Sequence, residues 1–287
     1  VEIEIIAELG RRVRMLPGRE GEVAVLSPDD LVQVGCSFAL SLRQVEILAL
    51  KGGLLPERYL RNVGTIGREG QRRLLESRVG IIGCGGLGGY VLEGLSRTGV
   101  GRLVAVDGDR FVAHNMNRQL LSLTENLGRS KVEVARERIA QTNPAVEVTA
   151  HAVAATQETL PSLLAEVDVV VDALDNPRDR LLLQGAAEER RIPLVHGAIA
   201  GFVGQVTTVL PGDRTLDLLY GTEDVPDRGV EALLGTPAVT PMLVAAAQVA
   251  EVLKLLLGKG DLMRGRLLYI DLETGVFESF PMLDLEE

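Results

Sequence analysis

The chain has 287 residues, 46% of them apolar and 24% charged, with no tryptophan and 3% aromatics. That is enough for one large or two small domains around a core of Leu, Val, Ile and Ala. A net charge of −10 argues against broad, charge-driven nucleic-acid binding, which needs a surplus of Lys and Arg, but leaves room for a local basic pocket for phosphates.

Residues 1–8 alternate acidic and apolar side chains, with neither a basic n-region nor an apolar h-region. No signal peptide is expected, and a reducing cytoplasm is the natural setting. Residues 1–57 read as a separate extension, with Arg11, Arg12, Arg14 and Arg19 among Gly and Pro. No chemistry is legible there; packing or partner binding is the expected role. One helix is predicted over residues 41–50, with Leu42, Val45, Leu48 and Ala49 on one face, broken by Gly52, Gly53 and Pro56.

From residue 58 the pattern becomes regular. The sequence predicts a helix at 68–76, a strand at 78–82, a glycine run, and a helix to about residue 98. Next come a strand at 102–106, a helix at 131–141, a strand at 146–150 and a short helix at 160–166. A strand at 168–173, a helix at 180–191 and a strand at 193–196 complete the alternation. Such alternation argues a mostly parallel sheet covered by helices on both faces. Beyond residue 200 the reading is a strand at 204–210, a polar loop at 211–235, a helix at 241–257 and a terminal hairpin, 266–271 with 276–280. The apolar stretch 242–257 is interrupted by Gln248, Glu251 and Lys254 and reads as too short and too polar to span a bilayer.

The run Gly83-Cys84-Gly85-Gly86-Leu87-Gly88 between a strand and a helix is the dinucleotide-binding pattern in its required context. Glycines let the backbone approach a phosphate, and the helix start offers unpaired N–H groups and a positive dipole end. Asp107 ends the next strand, placed to accept ribose hydroxyls. These features indicate an adenine nucleotide without separating NAD from ATP. Cys84 reads as a small filler.

Cations separate the two. A triphosphate with a reacting α-phosphorus needs several of them. The chain supplies Arg58-Tyr59-Leu60-Arg61, then Asn115-Met116-Asn117-Arg118-Gln119, then Gly128-Arg129-Ser130-Lys131, and an acidic Asp172-Ala173-Leu174-Asp175-Asn176 at a strand end. Lys131 is unusual, because a cation at a helix N-terminus is unfavourable without an anion.

The order RYxR, GxGGLGG, DxD, NxxRQ, GxSK and DN resembles the ThiF/MoeB/HesA family, bacterial relatives of ubiquitin-activating enzymes, over roughly residues 58–280. The resemblance implies a doubly wound, Rossmann-like α/β domain over residues 58–287, usually a homodimer. It implies the use of ATP to adenylate the C-terminal glycine of a small ubiquitin-like sulfur carrier ending in Gly-Gly, with release of pyrophosphate. It further implies a phosphate loop of Gly83, Gly85, Gly86, Leu87 and Gly88, and a ribose contact at Asp107 with Asp109 nearby. Asn115, Arg118 and Lys131 would grip the phosphates, supported by Gln119. Asp175, with Asn176 beside it, would position Mg²⁺, and Arg61 would reach into a partner subunit's site.

The chain departs from the family in two places. Cys36 and Cys84 form no CxxC pair, and His114, His151 and His196 lack the spacing of ligands, so no zinc site is expected. Residues 234–241 hold no cysteine, so adenylation without a covalent cysteine step is expected. His196 reads as a hydrogen-bonded structural histidine. Other readings stay open: a peptide precursor or tRNA-borne carboxylate as substrate, an NAD-dependent oxidoreductase, or a non-catalytic subunit. Nucleic-acid and membrane partners are not expected.

Overall fold

The computed structural model describes residues 1–18, 21–226 and 229–282; Arg19 lies outside them. The first unit contains α1 (Glu2–Gly10), the hairpin β1 (Arg14–Gly18) and β2 (Gly21–Leu26), α2 (Pro28–Phe38), α3 (Leu42–Lys51) and β3 (Leu55–Pro56). Of these only α3 is among the elements expected from the sequence, and its start has a chemical cause. Ser41 and Gln44 form a reciprocal capping box, satisfying two otherwise orphaned backbone donors. The strands β1, β2 and β3 make a small sheet in that order. Ile5, Leu9, Leu31, Val34, Val45 and Leu48 form the unit's own core. A second cluster, Val25, Leu50, Leu55, Tyr59 and Leu75, carries that packing across to α4 (Val63–Glu76).

The rest of the chain builds an eight-stranded sheet. Its elements are β4 (Arg78–Ile82), α5 (Gly86–Thr98), β5 (Arg102–Val106), α6 (Lys131–Thr142), β6 (Glu147–His151), α7 (Leu160–Leu163), β7 (Val169–Asp172), α8 (Pro177–Arg190) and β8 (Leu194–Ala200). There follow β9 (Val203–Val209), α9 (Thr215–Tyr220), α10 (Glu231–Leu234), α11 (Val239–Leu257), β10 (Arg266–Asp271) and β11 (Val276–Pro281). The spatial order is β11-β10-β9-β8-β7-β4-β5-β6. Strands β4 to β8 are parallel; β9, β10 and β11 add antiparallel. Helices lie on both faces, and strand alternation assigns residues to each. Val79, Ile81, Leu103, Ala105, Val169, Val171 and Val195 meet α5, α6 and α11 on one side. Ile82, Val104, Val106, Val170 and Leu194 meet α7, α8 and α9 on the other.

Several boundaries differ from the sequence reading. Helix α8 begins at Pro177 because Asn176 caps it, its Oδ1 accepting from Asp179 N–H at 2.8 Å. Helix α4 starts at Val63 and is broken at Gly67, where φ is +76°. The region 211–235 contains two short helices, α9 and α10. Helix α11 starts at Val239, and at 19 residues with mean hydropathy 1.5 it is long and apolar enough to cross a membrane. That measure rests on length and composition alone, which core helices also meet, and residues 242–257 carry Gln248, Glu251 and Lys254 within the helix. Its buried Val244, Ala245, Val249 and Val252 lie in the core against the sheet.

Candidate active site

The parallel strands put a crevice where the chain reverses direction across the sheet. From β4 the chain moves outward through β5 and β6, then returns to β7 on the other side of β4. Such a switch point leaves a gap at the carboxyl ends of the strands. A cleft of about 610 Å³ opens there.

Its floor is the turn after β4. Gly83 has φ +96°, and a Cβ on it would stand 2.5 Å from Ala173 O. Gly88 lies behind the loop: a Cβ on it would fall 1.8 Å from Gly83 O, so α5 reaches the turn only without one. Gly85 differs. Its nearest foreign atom is Gln119 Nε2 at 3.4 Å, so its missing side chain leaves room in the cleft rather than in the packing. Gly85, Gly86 and Leu87 line the cleft. Helix α5 starts with no side-chain cap at Gly85, and an uncapped N-terminus offers donors and a positive dipole end to an anion.

One wall is polar. Asp107 Oδ2 accepts from Cys84 N–H at 2.8 Å, and Oδ1 accepts from Asp109 N–H at 2.8 Å. Lys131, the first residue of α6, is 6% exposed. Its Nζ donates to Asp109 Oδ2 at 2.9 Å and lies 3.6 Å from Asp107 Oδ2. The two carboxylates thus hold an ammonium that the helix dipole alone would disfavour. Opposite, Arg118 Nη1 donates to His114 O at 3.1 Å and to Asn117 Oδ1 at 3.0 Å. Gln119 is 7% exposed, and its Oε1 is buried with no hydrogen-bond partner in the structure. Gln119 lines the cleft, and a buried acceptor without a partner is uncommon in a folded chain. Asp175 is exposed at the lip, and Asn176 and Asp179 follow it. Val153, Ala154, Ala155 and Ile199 give apolar surface suited to a flat ring.

The structure therefore gathers Gly83, Gly85, Gly86, Leu87, Asp107, Asp109, Arg118, Gln119, Lys131, Asp175 and Asn176 around one cleft. Three sequence-derived candidates lie outside its lining. Gly88 packs helix on turn. Asn115 is buried, its Oδ1 accepting from Val112 N–H at 3.0 Å, while its carbonyl accepts from the N–H groups of Arg118 and Gln119; it shapes the turn that presents both. Arg61 is exposed, just ahead of α4. Arg58, counted among the cations near the site, is held elsewhere: its Nη1 donates to Asn143 Oδ1 at 2.7 Å and its Nε lies 3.1 Å from Glu46 Oε1.

Sequence reasoning misses a layer beneath the cleft. Asp172 and His196 are fully buried and face each other across β7 and β8, with Nδ1 2.7 Å from Oδ2. Tyr220 OH lies 3.1 Å from His196 Nε2. Arg180 lines the cleft and is 4% exposed. Burial holds the His196 imidazole below its usual range despite the pull of Asp172. The thiol of Cys84 is also buried and pushed well above its usual range, which leaves it un-ionised and unsuited to act as a nucleophile.

Residues 59–286 match the ThiF family. The chain is 39% identical over 233 residues to the "SAMP-activating enzyme E1" of Haloferax volcanii, covering 78% of this chain and 84% of that one. It is 39% identical over 213 residues to the "Sulfur carrier protein adenylyltransferase" of Thermus thermophilus, covering 72% and 79%. Among solved structures, E. coli MccB in its ATP-bound crystal form superposes with a TM-score of 0.64 at 19% identity, covering 96% of each chain. That share takes in most of residues 1–57 as well, and at this identity it speaks for the fold.

Proposed function

The chain belongs to the ThiF family, and from that premise we propose that it binds ATP in the cleft and adenylates the C-terminal glycine of a small ubiquitin-like sulfur carrier. The carboxylate oxygen attacks the α-phosphorus, a C–O–P bond forms, the α–β P–O bond breaks, and pyrophosphate leaves with the electron pair. The carrying observation is the convergence of a glycine turn, an uncapped helix start, the cationic side chains of Arg118 and Lys131 and an exposed carboxylate on one cleft.

Each residue has a physical task in this reading. Gly85 and Gly86 let phosphate oxygens approach backbone donors. Asp107 accepts from the ribose, and the apolar wall at residues 153–155 takes the base. Attack by one anion on another is slow unless charge is neutralised and the nucleophile aligned. Arg118 and Lys131 supply that neutralisation; for Lys131 this means exchanging its Asp109 partner for a phosphate oxygen. Asp175 fits Mg²⁺, which takes one or two carboxylates and leaves its other positions to phosphate oxygens and water. The ion supplies charge neutralisation at the α-phosphate when bound. The proposal includes a homodimer in which Arg61, exposed and away from its own cleft, reaches that of a second copy. It also includes a cytoplasmic setting, a boundary near residue 58, and no covalent cysteine step. The absence of cysteine from 234–241 and the inert Cys84 support the last point.

The test is ATP–pyrophosphate exchange with purified carriers ending in Gly-Gly. Carrier-dependent exchange is expected, abolished when the terminal glycine is removed. No exchange with any such carrier from the source genome would overturn the substrate assignment.

A further inference from the structure

Beneath the lip of the cleft, a set of buried polar side chains converges on the residue preceding Asp175. Asp172 Oδ1 accepts from Leu174 N–H at 2.9 Å. Arg180 Nη2 donates to Leu174 O at 2.8 Å. Both polar backbone groups of Leu174 are thus held by side chains, not by secondary structure. On either side, Ala173 N–H donates to Ile82 O at 2.9 Å and Asn176 caps α8. The side chains that hold Leu174 are themselves held. Arg180 Nη1 donates to Tyr220 OH at 3.0 Å, and Gln205 Nε2 donates to the same oxygen at 3.1 Å. Gln248 of α11 donates to Asp172 O at 2.8 Å.

The proton inventory closes. Tyr220 OH accepts from Arg180 and Gln205, so its one proton goes to His196 Nε2. A neutral His196 then carries its proton on Nδ1 and donates to Asp172 Oδ2. Burial favours both neutral forms, lowering the His196 value and raising that of Tyr220. A buried charged network of this kind is seldom the most stable filling for its space. What it provides is geometry, and its bonds end on the loop that bears Asp175.

We infer that Asp172, His196, Tyr220 and Arg180 form a brace that positions the Asp175 carboxylate for a divalent cation, an inference that rests on the adenylation reading above. These are positioning residues: they act through Leu174 and Asp175. Partners one shell out from a metal ligand typically set metal affinity within about 10–100-fold.

The experiment measures Mn²⁺ binding to the full chain saturated with α,β-methylene-ATP, by the free-ion paramagnetic resonance signal. It is paired with Mg²⁺ titration of ATP–pyrophosphate exchange. Tyr220→Phe keeps the ring and removes the oxygen that joins Arg180, Gln205 and His196. It is expected to weaken Mn²⁺ binding about tenfold or more, to raise the half-saturating Mg²⁺ similarly, and to leave kcat at saturating Mg²⁺ within about threefold. In an Asp175→Ala background the same change should weaken Mn²⁺ binding no further, since the two act on one contact. If Tyr220→Phe does not fold, Arg180→Lys, which keeps the charge and loses the forked contact, takes its place. Asp175→Ala weakening Mn²⁺ while Tyr220→Phe and Arg180→Lys leave it unchanged would overturn the brace alone. Equal weakening by Tyr220→Phe with and without Asp175 would also overturn it. Unchanged binding in Asp175→Ala itself would overturn the metal assignment on which the brace rests.

Discussion

At the seam between residues 1–57 and the sheet domain, Glu46, Arg58, Tyr59 and Asn143 form a buried cluster. Beneath the cleft, Asp172, Arg180, Tyr220 and His196 form another from nearly the same parts. In the first, Tyr59 OH donates to Glu46 Oε2 at 2.9 Å, while Asn143 donates to Tyr59 OH at 3.0 Å and to Ser96 O at 2.9 Å. Its bonds join α3, the segment before α4 and the end of α6, fastening one unit to the other. In the second, the bonds run out onto Leu174 beside Asp175. Composition alone therefore does not assign a role to a buried polar cluster; the place where its hydrogen bonds end does. The seam cluster should govern stability and spare chemistry, whereas the cleft and its brace should do the reverse.

The largest effect expected from this contrast lies at the cleft. Lys131→Ala and Asp175→Ala should each lower ATP–pyrophosphate exchange by about 10²–10³-fold, with thermal midpoints close to the parent's. Exchange near the parent rate in either variant would break the contrast on the catalytic side. Next is the seam. Glu46→Ala leaves the Tyr59 hydroxyl without its acceptor and the Arg58 guanidinium without its counter-charge and should cost about 1–3 kcal/mol. That corresponds to a fall in thermal midpoint of roughly 3–10 °C, with exchange per folded molecule unchanged.

A smaller effect should separate two glycines of one loop. Gly85→Ala places its methyl group in the open cleft and should weaken nucleotide binding about tenfold, or 1.4 kcal/mol, with the fold kept. Gly88→Ala meets backbone and should lower the thermal midpoint instead. Calorimetric titration with ATP and thermal unfolding of both variants decide this. Equal behaviour would mean that the glycines serve packing alone.

The smallest effect is in pH dependence, where the clusters should have opposite sign. Burial pushes Glu46 up to about 7, outweighing the attraction of Arg58. The folded chain then holds a proton that the unfolded chain has lost, so this stabilisation is full below about 4.5 and disappears as pH rises through about 7. His196 is shifted the other way, its value lowered by burial. Its contribution is present above about 6.5 and is lost as pH falls through its lowered value. Glu46→Gln should therefore flatten the loss of stability toward alkaline pH, and His196→Gln the loss toward acid. Urea unfolding between pH 5 and 8, compared with the parent, reads both; a shift of the same sign in the two variants would contradict the assignment.

The sheet domain was legible because its signals are local. Strand 78–82, the glycine turn and the helix after it sit within about twenty residues, and each strand carries its own apolar run. The cleft's polar set was legible for the same reason, as short motifs in order. The brace was not. Tyr220 ends a six-residue helix inside a stretch that reads as polar loop, and so short an element shows no periodicity. Its link to Asp172 runs through His196, so the relation is tertiary. The same holds at the seam, where Arg58 and Tyr59 read as part of a cationic motif because nothing local ties them to Glu46 or Asn143. In the first unit, the turn of Ser27 into α2 did carry a signal: Ser27 Oγ accepts from Asp30 N–H at 3.2 Å, and Ser followed by Pro at the first helical position is a start mark.

Helix α11 sets a clock on biogenesis. It packs on β7 and β8 on the face of the sheet where α5 packs on β4, yet Val239 leaves the ribosome roughly 160 residues after Arg78. At synthesis rates of about 5–20 residues per second, that face waits some 8–30 s for its lid. As β7 and β8 are made, Val169, Val171 and Val195 join Val79 and Ile81 in an apolar strip with part of its cover still unmade. A chain stalled or cut before Val239 should thus aggregate rather than survive as a smaller domain, and yield in the cell should respond more to chaperone supply than to any single substitution on the surface.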